Sequence, residues 1–174
     1  AHVIKNFFND YYFNHSDLTI NLGDGSTEYI DTRKLNWRVT LVDTGLDSMT
    51  GGRIKRLSPY LQDRFMLTYG DGLANVDINA LLDFHRGHGK MLTVTAVHPS
   101  ARFGELKIEN GQVVNFQEKP QMAQGWINGG FFVFSYKFLN FIENDKTYLE
   151  REPLEKVTKL KELSAYRQDR KSTR

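Results

Sequence analysis

The sequence predicts an α/β fold, a Rossmann-like three-layer α/β/α arrangement around a mixed, mostly parallel sheet with one antiparallel hairpin excursion. Three observations carry that expectation. Apolar, β-branched runs alternate with stretches of helical periodicity. One run stops at Gly70-Asp71-Gly72, and Gln117-Glu118-Lys119-Pro120 with Asn128-Gly129-Gly130 falls at a second apparent strand end; open α/β sheets bind ligands just beyond the carboxyl ends of their strands. Asn110-Gly111 joins two further short runs, a strong hairpin signal because a tight turn needs positive φ there.

The elements follow in order. Val3, Ile4, Phe7, Phe8, Tyr11 and Tyr12 recur at helical spacing and predict an amphipathic helix over residues 2–12, whose aromatic residues suit a core or a subunit interface. Residues 17–22 and 28–32 flank Gly23-Asp24-Gly25-Ser26 and read as a hairpin; the segment 17–36 interrupts the α/β alternation and reads as an insertion for subunit contact. The β-branched run 37–43 predicts a buried strand. A loop over 44–52 leads to a helix over 53–61, and a strand over 65–69 follows. Asp77 is an N-cap for a helix ending at His88, with Gly89 as its stop. Strands are predicted over 91–97 and 131–134, a hairpin over 103–108 and 112–116, and helices over 136–143 and 152–162, with Pro153 tolerated in the first turn. A final strand starts at 163.

Composition narrows the class. Of 174 residues, 40% are hydrophobic and 25% charged, which is ordinary globular usage. No apolar run approaches the ~18 residues that a membrane helix needs, and no signal peptide is read in residues 2–12. The absence of cysteine excludes disulfides and thiolate zinc sites and suits a cytoplasmic protein. The formal charge of +2 comes from the last six residues, where Arg170, Lys171 and Arg174 outnumber Asp169, so nucleic-acid binding is not inferred.

Three stretches carry chemistry. Ser48, Thr50, Gly51, Gly52 and Arg53 enter a helix with hydroxyls, a guanidinium and small residues whose N–H groups suit a nucleotide. Asp71 between two glycines suits a Mg²⁺ ligand with phosphates approaching the backbone at Gly70, although Gly-Asp-Gly alone is most often a turn. Glu118-Lys119-Pro120 with Asn128 and Gly129 suits a sugar phosphate, the carboxylate accepting from hydroxyls and the ammonium meeting phosphate; alone it reads as an exposed ion pair at a turn. His85 and His88 share a helix face without a third ligand at metal spacing and read as a solvated helix end.

These residues bring a family into view. The chain resembles the sugar-phosphate nucleotidyltransferases, and within them the cytidylyl branch. The resemblance rests on Trp37-Arg38-Val39-Thr40-Leu41-Val42-Asp43-Thr44-Gly45, Met49-Thr50-Gly51-Gly52-Arg53, Thr68-Tyr69-Gly70-Asp71-Gly72, Phe116-Gln117-Glu118-Lys119-Pro120 and Ile127-Asn128-Gly129-Gly130-Phe131-Phe132-Val133. It implies transfer of CMP from CTP to α-D-glucose 1-phosphate with Mg²⁺, giving CDP-glucose for nucleotide-sugar and O-antigen biosynthesis, in a cytoplasmic homo-oligomer. It further implies Asp71 and Lys119 as catalytic residues, with Asp71 the metal ligand. Ser48, Thr50, Gly51, Gly52, Arg53 and Gly70 fall on the nucleotide side; Glu118, Lys119, Asn128 and Gly129 fall on the sugar-phosphate side.

Two family features are missing, a Gly-Gly-x-Gly-Thr-Arg loop with its following Lys-Pro and a second metal-binding Asp. The expectation is therefore a partial transferase domain over 1–168, with 169–174 an artefactual tail. That fragment is expected to be inactive and poorly soluble, within an active longer protein. Rival readings are a thymidylyl- or uridylyltransferase, a non-catalytic sugar-nucleotide-binding module, and a carbohydrate-modifying enzyme using Asp71 and Glu118. Lys119 beside Glu118 disfavours the last.

Overall fold

Strands and helices alternate through the second three-quarters of the chain, and a helical pair with a hairpin precedes them. The structure is a computed structural model and describes residues 2–30, 35–98, 105–109, 111–117 and 125–168. It divides into two compact units, Ala1–Gly45 and Leu46–Arg174.

In the first unit the expected single helix is two, α1 (His2–Asn9) and α2 (Tyr11–His15). The interruption falls at Asp10, whose carboxylate accepts from the Asn9 amide at 2.6 Å; such local side-chain bonds compete with helix. No residue of either helix is buried. β1 (Asp17–Ile20) pairs antiparallel with β2 (Thr27–Ile30) as the sequence predicts. Asp24 closes their turn by accepting from the Ser26 N–H at 2.9 Å and its hydroxyl at 2.7 Å. The buried strand expected over 37–43 does not form: Trp37 and Val39 are 69% and 45% exposed and the segment pairs with no strand among the described residues. β-branched composition makes a strand only where a neighbouring strand takes up its backbone groups. The segment instead lines a groove of about 290 Å³ with Phe8, Tyr11 and Tyr12.

The second unit is built on a four-stranded sheet. Its strands are β3 (Arg64–Thr68), β4 (Leu92–Val97), β7 (Ile127–Ser135) and β8 (Leu163–Arg167), in the order β3-β7-β4-β8. β4 and β8 are parallel, whereas β7 runs antiparallel to both β3 and β4. The sheet is mixed, as expected, and three of its strands point one way. Because β7 sits between two of them, only one of the three hydrogen-bonded pairings is parallel. β5 (Glu105–Glu109) and β6 (Gln112–Gln117) form the expected separate hairpin.

Register sorts the side chains into two faces, since paired residues project together and faces alternate along a strand. Phe65, Leu67, Leu92, Phe132, Phe134 and Leu163 point to one face. There they pack with Ile54, Phe138, Leu149 and Val157 from α3 (Thr50–Arg56), the 3-10 segment Tyr136–Phe141, the loop before α5, and α5 (Glu152–Lys159). The segments expected as helices over 53–61 and 136–143 are thus shorter: α3 starts at Thr50 and passes into a 3-10 turn, and the other is wholly 3-10.

α4 (Ile78–His88) covers the opposite face and completes three layers. Its ends are as predicted, with Asp77 accepting from the Ala80 N–H at 3.0 Å and Gly89 left-handed at φ 63°. His85 and His88 are not a solvated helix end. His85 is 4% exposed, and both rings meet the buried Thr93 hydroxyl, at 2.8 and 2.7 Å. The Lys90 N–H donates to His88 Nδ1 at 2.9 Å, so His88 donates from Nε2 to Thr93 and Thr93 in turn donates to His85 Nδ1. Burial first, then the neighbouring His88 and Arg64 charges, pushes His85 down to about 4.

Candidate functional site

β3, β4 and β8 end at one rim of the sheet, and the antiparallel β7 begins there. That rim collects residues 69–71 after β3 and residues 126–128 at the start of β7. Tyr69 continues the core-facing side of β3 and meets Phe132 edge-on at 6.0 Å between centroids. Asn128 pairs with Ala96 across a bulge in the β4–β7 ladder. The bulge contains Gly130 at φ 80°, where an added Cβ would also stand 3.0 Å from the Tyr69 ring, so glycine is required twice over.

α3 reaches the same rim by docking on the loop over residues 144–150. The N–H groups of Met49, Gly51 and Gly52 donate to Asp145 O and Thr147 O at 2.8, 3.0 and 3.3 Å. A Cβ at Gly51 would stand 2.8 Å from Thr147 O, and one at Gly52 would collide with the Asp145 backbone. The Arg56 guanidinium grips the Asp145 carboxylate with two bonds of 2.8 and 2.6 Å. These glycines therefore permit close approach of helix and loop. Their N–H groups are taken up within the protein, a correction to the expectation that they stand free for a nucleotide.

The docked loop delivers Glu150, which ties the two sides of the rim together. Its Oε2 accepts from the Thr50 hydroxyl at 2.8 Å and its Oε1 from the Tyr69 hydroxyl at 2.9 Å. Thr50 also accepts from the Leu149 N–H at 2.9 Å. The Asn128 amide reaches the Tyr69 hydroxyl at 3.4 Å, a weak contact, and its oxygen accepts from the Gly130 N–H at 2.8 Å. Burial, then the hydrogen bond to Glu150, pushes the Tyr69 phenol up to about 12, so it works as a neutral donor and not as a base.

The structure thus brings Thr50 and Asn128 into one hydrogen-bonded chain through Glu150 and Tyr69, neither of which is among the site residues expected from the sequence. Ser48, two residues before Thr50, is 6% exposed, and Arg53 donates to Leu46 O at 3.2 Å. Gly129 lies against Thr95, where a Cβ would stand 2.7 Å from the hydroxyl. Gly70 and Asp71 are beyond β3, with open space around Gly70 and a Gly72 N–H to Tyr69 O bond of 3.3 Å closing a turn. Glu118 and Lys119 lie outside the described residues. Among the described residues no group of three or more His, Asp or Glu side chains converges to hold a metal, and no helix is long and apolar enough to cross a membrane. Asp71 is a single exposed carboxylate at the rim. That fits Mg²⁺ in the mode where one carboxylate assists and substrate phosphates and water supply the remaining ligands.

A mixed α/β/α sheet with its polar cluster at this rim places those residues where open α/β sheets bind ligands. The chain belongs to the nucleotidyl transferase family, which it matches over residues 50–171. It is 47% identical over 168 residues to the glucose-1-phosphate cytidylyltransferase of Salmonella typhi, covering 95% of this chain and 65% of that protein. It is 39% identical over 166 residues to the probable glucose-1-phosphate cytidylyltransferase of Bacillus subtilis, covering 94% of this chain and 65% of the other. The crystal structure of HddC from Yersinia pseudotuberculosis aligns with a TM-score of 0.57 at 25% identity, over 76% of this chain and 59% of that one. The chain therefore spans just under two thirds of the length of these two curated relatives.

Proposed function

We propose that this chain is the greater part of a cytoplasmic, oligomeric enzyme that transfers CMP from CTP to α-D-glucose 1-phosphate. The observation that carries the reading is the continuous bonding from Thr50 through Glu150 and Tyr69 to Asn128. It joins the nucleotide side of the family pattern to its sugar-phosphate side at the ligand-binding rim. The similarity of nearly the whole chain to cytidylyltransferases supports the choice of substrates.

In this reading an oxygen of the sugar phosphate attacks the α-phosphorus of CTP, the bond to the β-phosphate breaks, and pyrophosphate leaves. The attacking oxygen is already deprotonated, so the protein's part is positioning and charge stabilisation. Thr50, Ser48 and Arg53 shape the nucleotide side. Glu150 fixes the direction of the Tyr69 O–H and Thr50 O–H dipoles, and Asn128 presents its amide to sugar hydroxyls. Gly129 keeps the backbone there close to β4. Lys119 meets the sugar phosphate as a point charge and Glu118 accepts from its hydroxyls, while Gly70 lets the nucleotide approach the backbone. Asp71 would hold Mg²⁺, which supplies charge neutralisation on the phosphates when bound.

The test is a pyrophosphate-release assay offering CTP, UTP, dTTP and GTP in turn with glucose 1-phosphate. It is run on the 174-residue chain and on a chain extended to the length of the relatives. Release with CTP alone from the extended chain, abolished by Asp71→Ala, is expected, with none from the shorter one. Release with another triphosphate overturns the cytidine assignment. Absence of release with all four overturns the transfer reading and leaves a sugar-nucleotide-binding module.

A further inference from the structure

Beyond Asn128 the rim continues into three side chains that the chain of bonds described above does not include. Trp126 stands opposite His98, one step past the Val97↔Ile127 pair, and their ring centroids are 3.8 Å apart. His98 Nδ1 donates to the Gly125 carbonyl at 3.0 Å, which fixes the imidazole against the indole. On the other side of β4, Arg167 pairs with Ala96, and Ala96 pairs with Asn128. Paired residues project to the same face, so Asn128, Ala96 and Arg167 share one face, and His98 and Trp126 follow on it at the period of two.

The Arg167 guanidinium lies 5.5 Å from the centre of the Trp126 ring, within cation–π range. Arg167 is exposed and has no carboxylate partner among the described residues. Asn128 and Arg167 are two strands apart, about 10 Å between backbones, and in the register the methyl of Ala96 stands between them. A long arginine can lean across that gap toward a ligand held at Asn128. An arginine held by an aromatic ring instead of a carboxylate keeps its planar donors available for an oxyanion.

We propose that Arg167, steadied on Trp126, is a phosphate-binding residue of this site, taking the phosphate of the sugar phosphate whose hydroxyls reach Asn128. The proposal rests on the reading of Asn128 as a sugar-phosphate contact. It adds to that site a cation contributed by β8 and an indole whose emission reports occupancy.

The experiment uses the whole chain carrying Trp37→Phe, which leaves Trp126 as the only tryptophan of the two present. Glucose 1-phosphate, glucose and inorganic phosphate are titrated separately, with affinity from calorimetry and location from Trp126 emission. Glucose 1-phosphate is expected to change the emission. Arg167→Gln is expected to weaken its affinity by roughly tenfold or more, the size of a lost charge-assisted bond, while the affinity for glucose is unchanged. Arg167→Lys restores part of the loss, since charge returns without the fork. Unchanged affinity for glucose 1-phosphate in Arg167→Gln overturns the proposal. Asn128→Ala separates it from the reading beneath it. If Asn128→Ala weakens binding and Arg167→Gln does not, the proposal falls and the sugar-phosphate site stands. If only Arg167→Gln weakens binding, the phosphate contact stands and the sugar assignment of Asn128 falls.

Discussion

Thr50→Val removes one oxygen from the centre of the rim and is the sharpest test of how the site is held. The hydroxyl donates to Glu150 and accepts from the Leu149 N–H, and valine matches threonine in shape, so no cavity is created. Leu149 is fully buried, so its N–H loses its acceptor where water does not replace it, at a cost of about 1–3 kcal/mol. The bond to the exposed Glu150 contributes about 0.5–1.5 kcal/mol more. A total of about 1.5–4.5 kcal/mol corresponds to a fall in Tm of about 5–20 °C for a unit of this size. Thr50→Ser keeps the oxygen and is expected to melt within about 2 °C of the parent. The assay is a thermal melt of the three proteins, with Glu150→Ala and the double variant closing a cycle. The double variant is expected to lose less than the sum of the singles, by about 0.5–1.5 kcal/mol. A Thr50→Val melt indistinguishable from the parent, or an additive double variant, would refute the reasoning.

Other consequences are equally direct. His85 has a folded pKa of about 4 against 6.5 when unfolded, so between those values the unfolded chain binds more protons. Stability is therefore present above pH 6.5 and declines as pH falls toward 4, by up to about 3 kcal/mol; urea midpoints at pH 7 and pH 5 read this, and His85→Gln flattens the difference. Gly52→Ala is expected to destabilise by about 1–3 kcal/mol, because its Cβ meets backbone that cannot rotate away, whereas Gly70→Ala, with open space around it, changes the denaturation midpoint by less than about 0.5 kcal/mol. Asp71→Asn is expected to leave the melt unchanged and to abolish any stabilisation of a CTP complex by Mg²⁺, measured by titrating CTP with and without the ion.

What the sequence made legible was whatever is encoded locally. The cap at Asp77 and stop at Gly89 act on residues within one helical turn, and the hairpins at Gly25 and Gly111 depend on their own φ angles. Those features are visible without knowing the tertiary partners. The run over 37–43 shows the opposite case: its composition is that of a strand, but a strand exists only through a partner, and no local signal supplies one. The histidines of α4 misled for a related reason. Their spacing from each other is plain, while the threonine whose hydroxyl both rings meet belongs to the following strand and is identified only by register.

Glu150 marks the limit most clearly. Its partners Thr50 and Tyr69 are 100 and 81 residues away, and the residues around it, Thr147-Tyr148-Leu149-Glu150, carry no motif. What places it is the docking of α3, through Gly51 and Gly52 lying flush on the loop and Arg56 holding Asp145. In sequence alone the same glycines point to a nucleotide cradle. Their backbone geometry gives them a different task, because a helix can only present Thr50 to Glu150 if nothing larger than hydrogen stands between helix and loop. A glycine-rich entry to a helix is thus ambiguous in sequence between binding a ligand and bringing a ligand-binding residue into reach. The hydrogen-bond partners of its N–H groups decide between them, and here those N–H groups point inward.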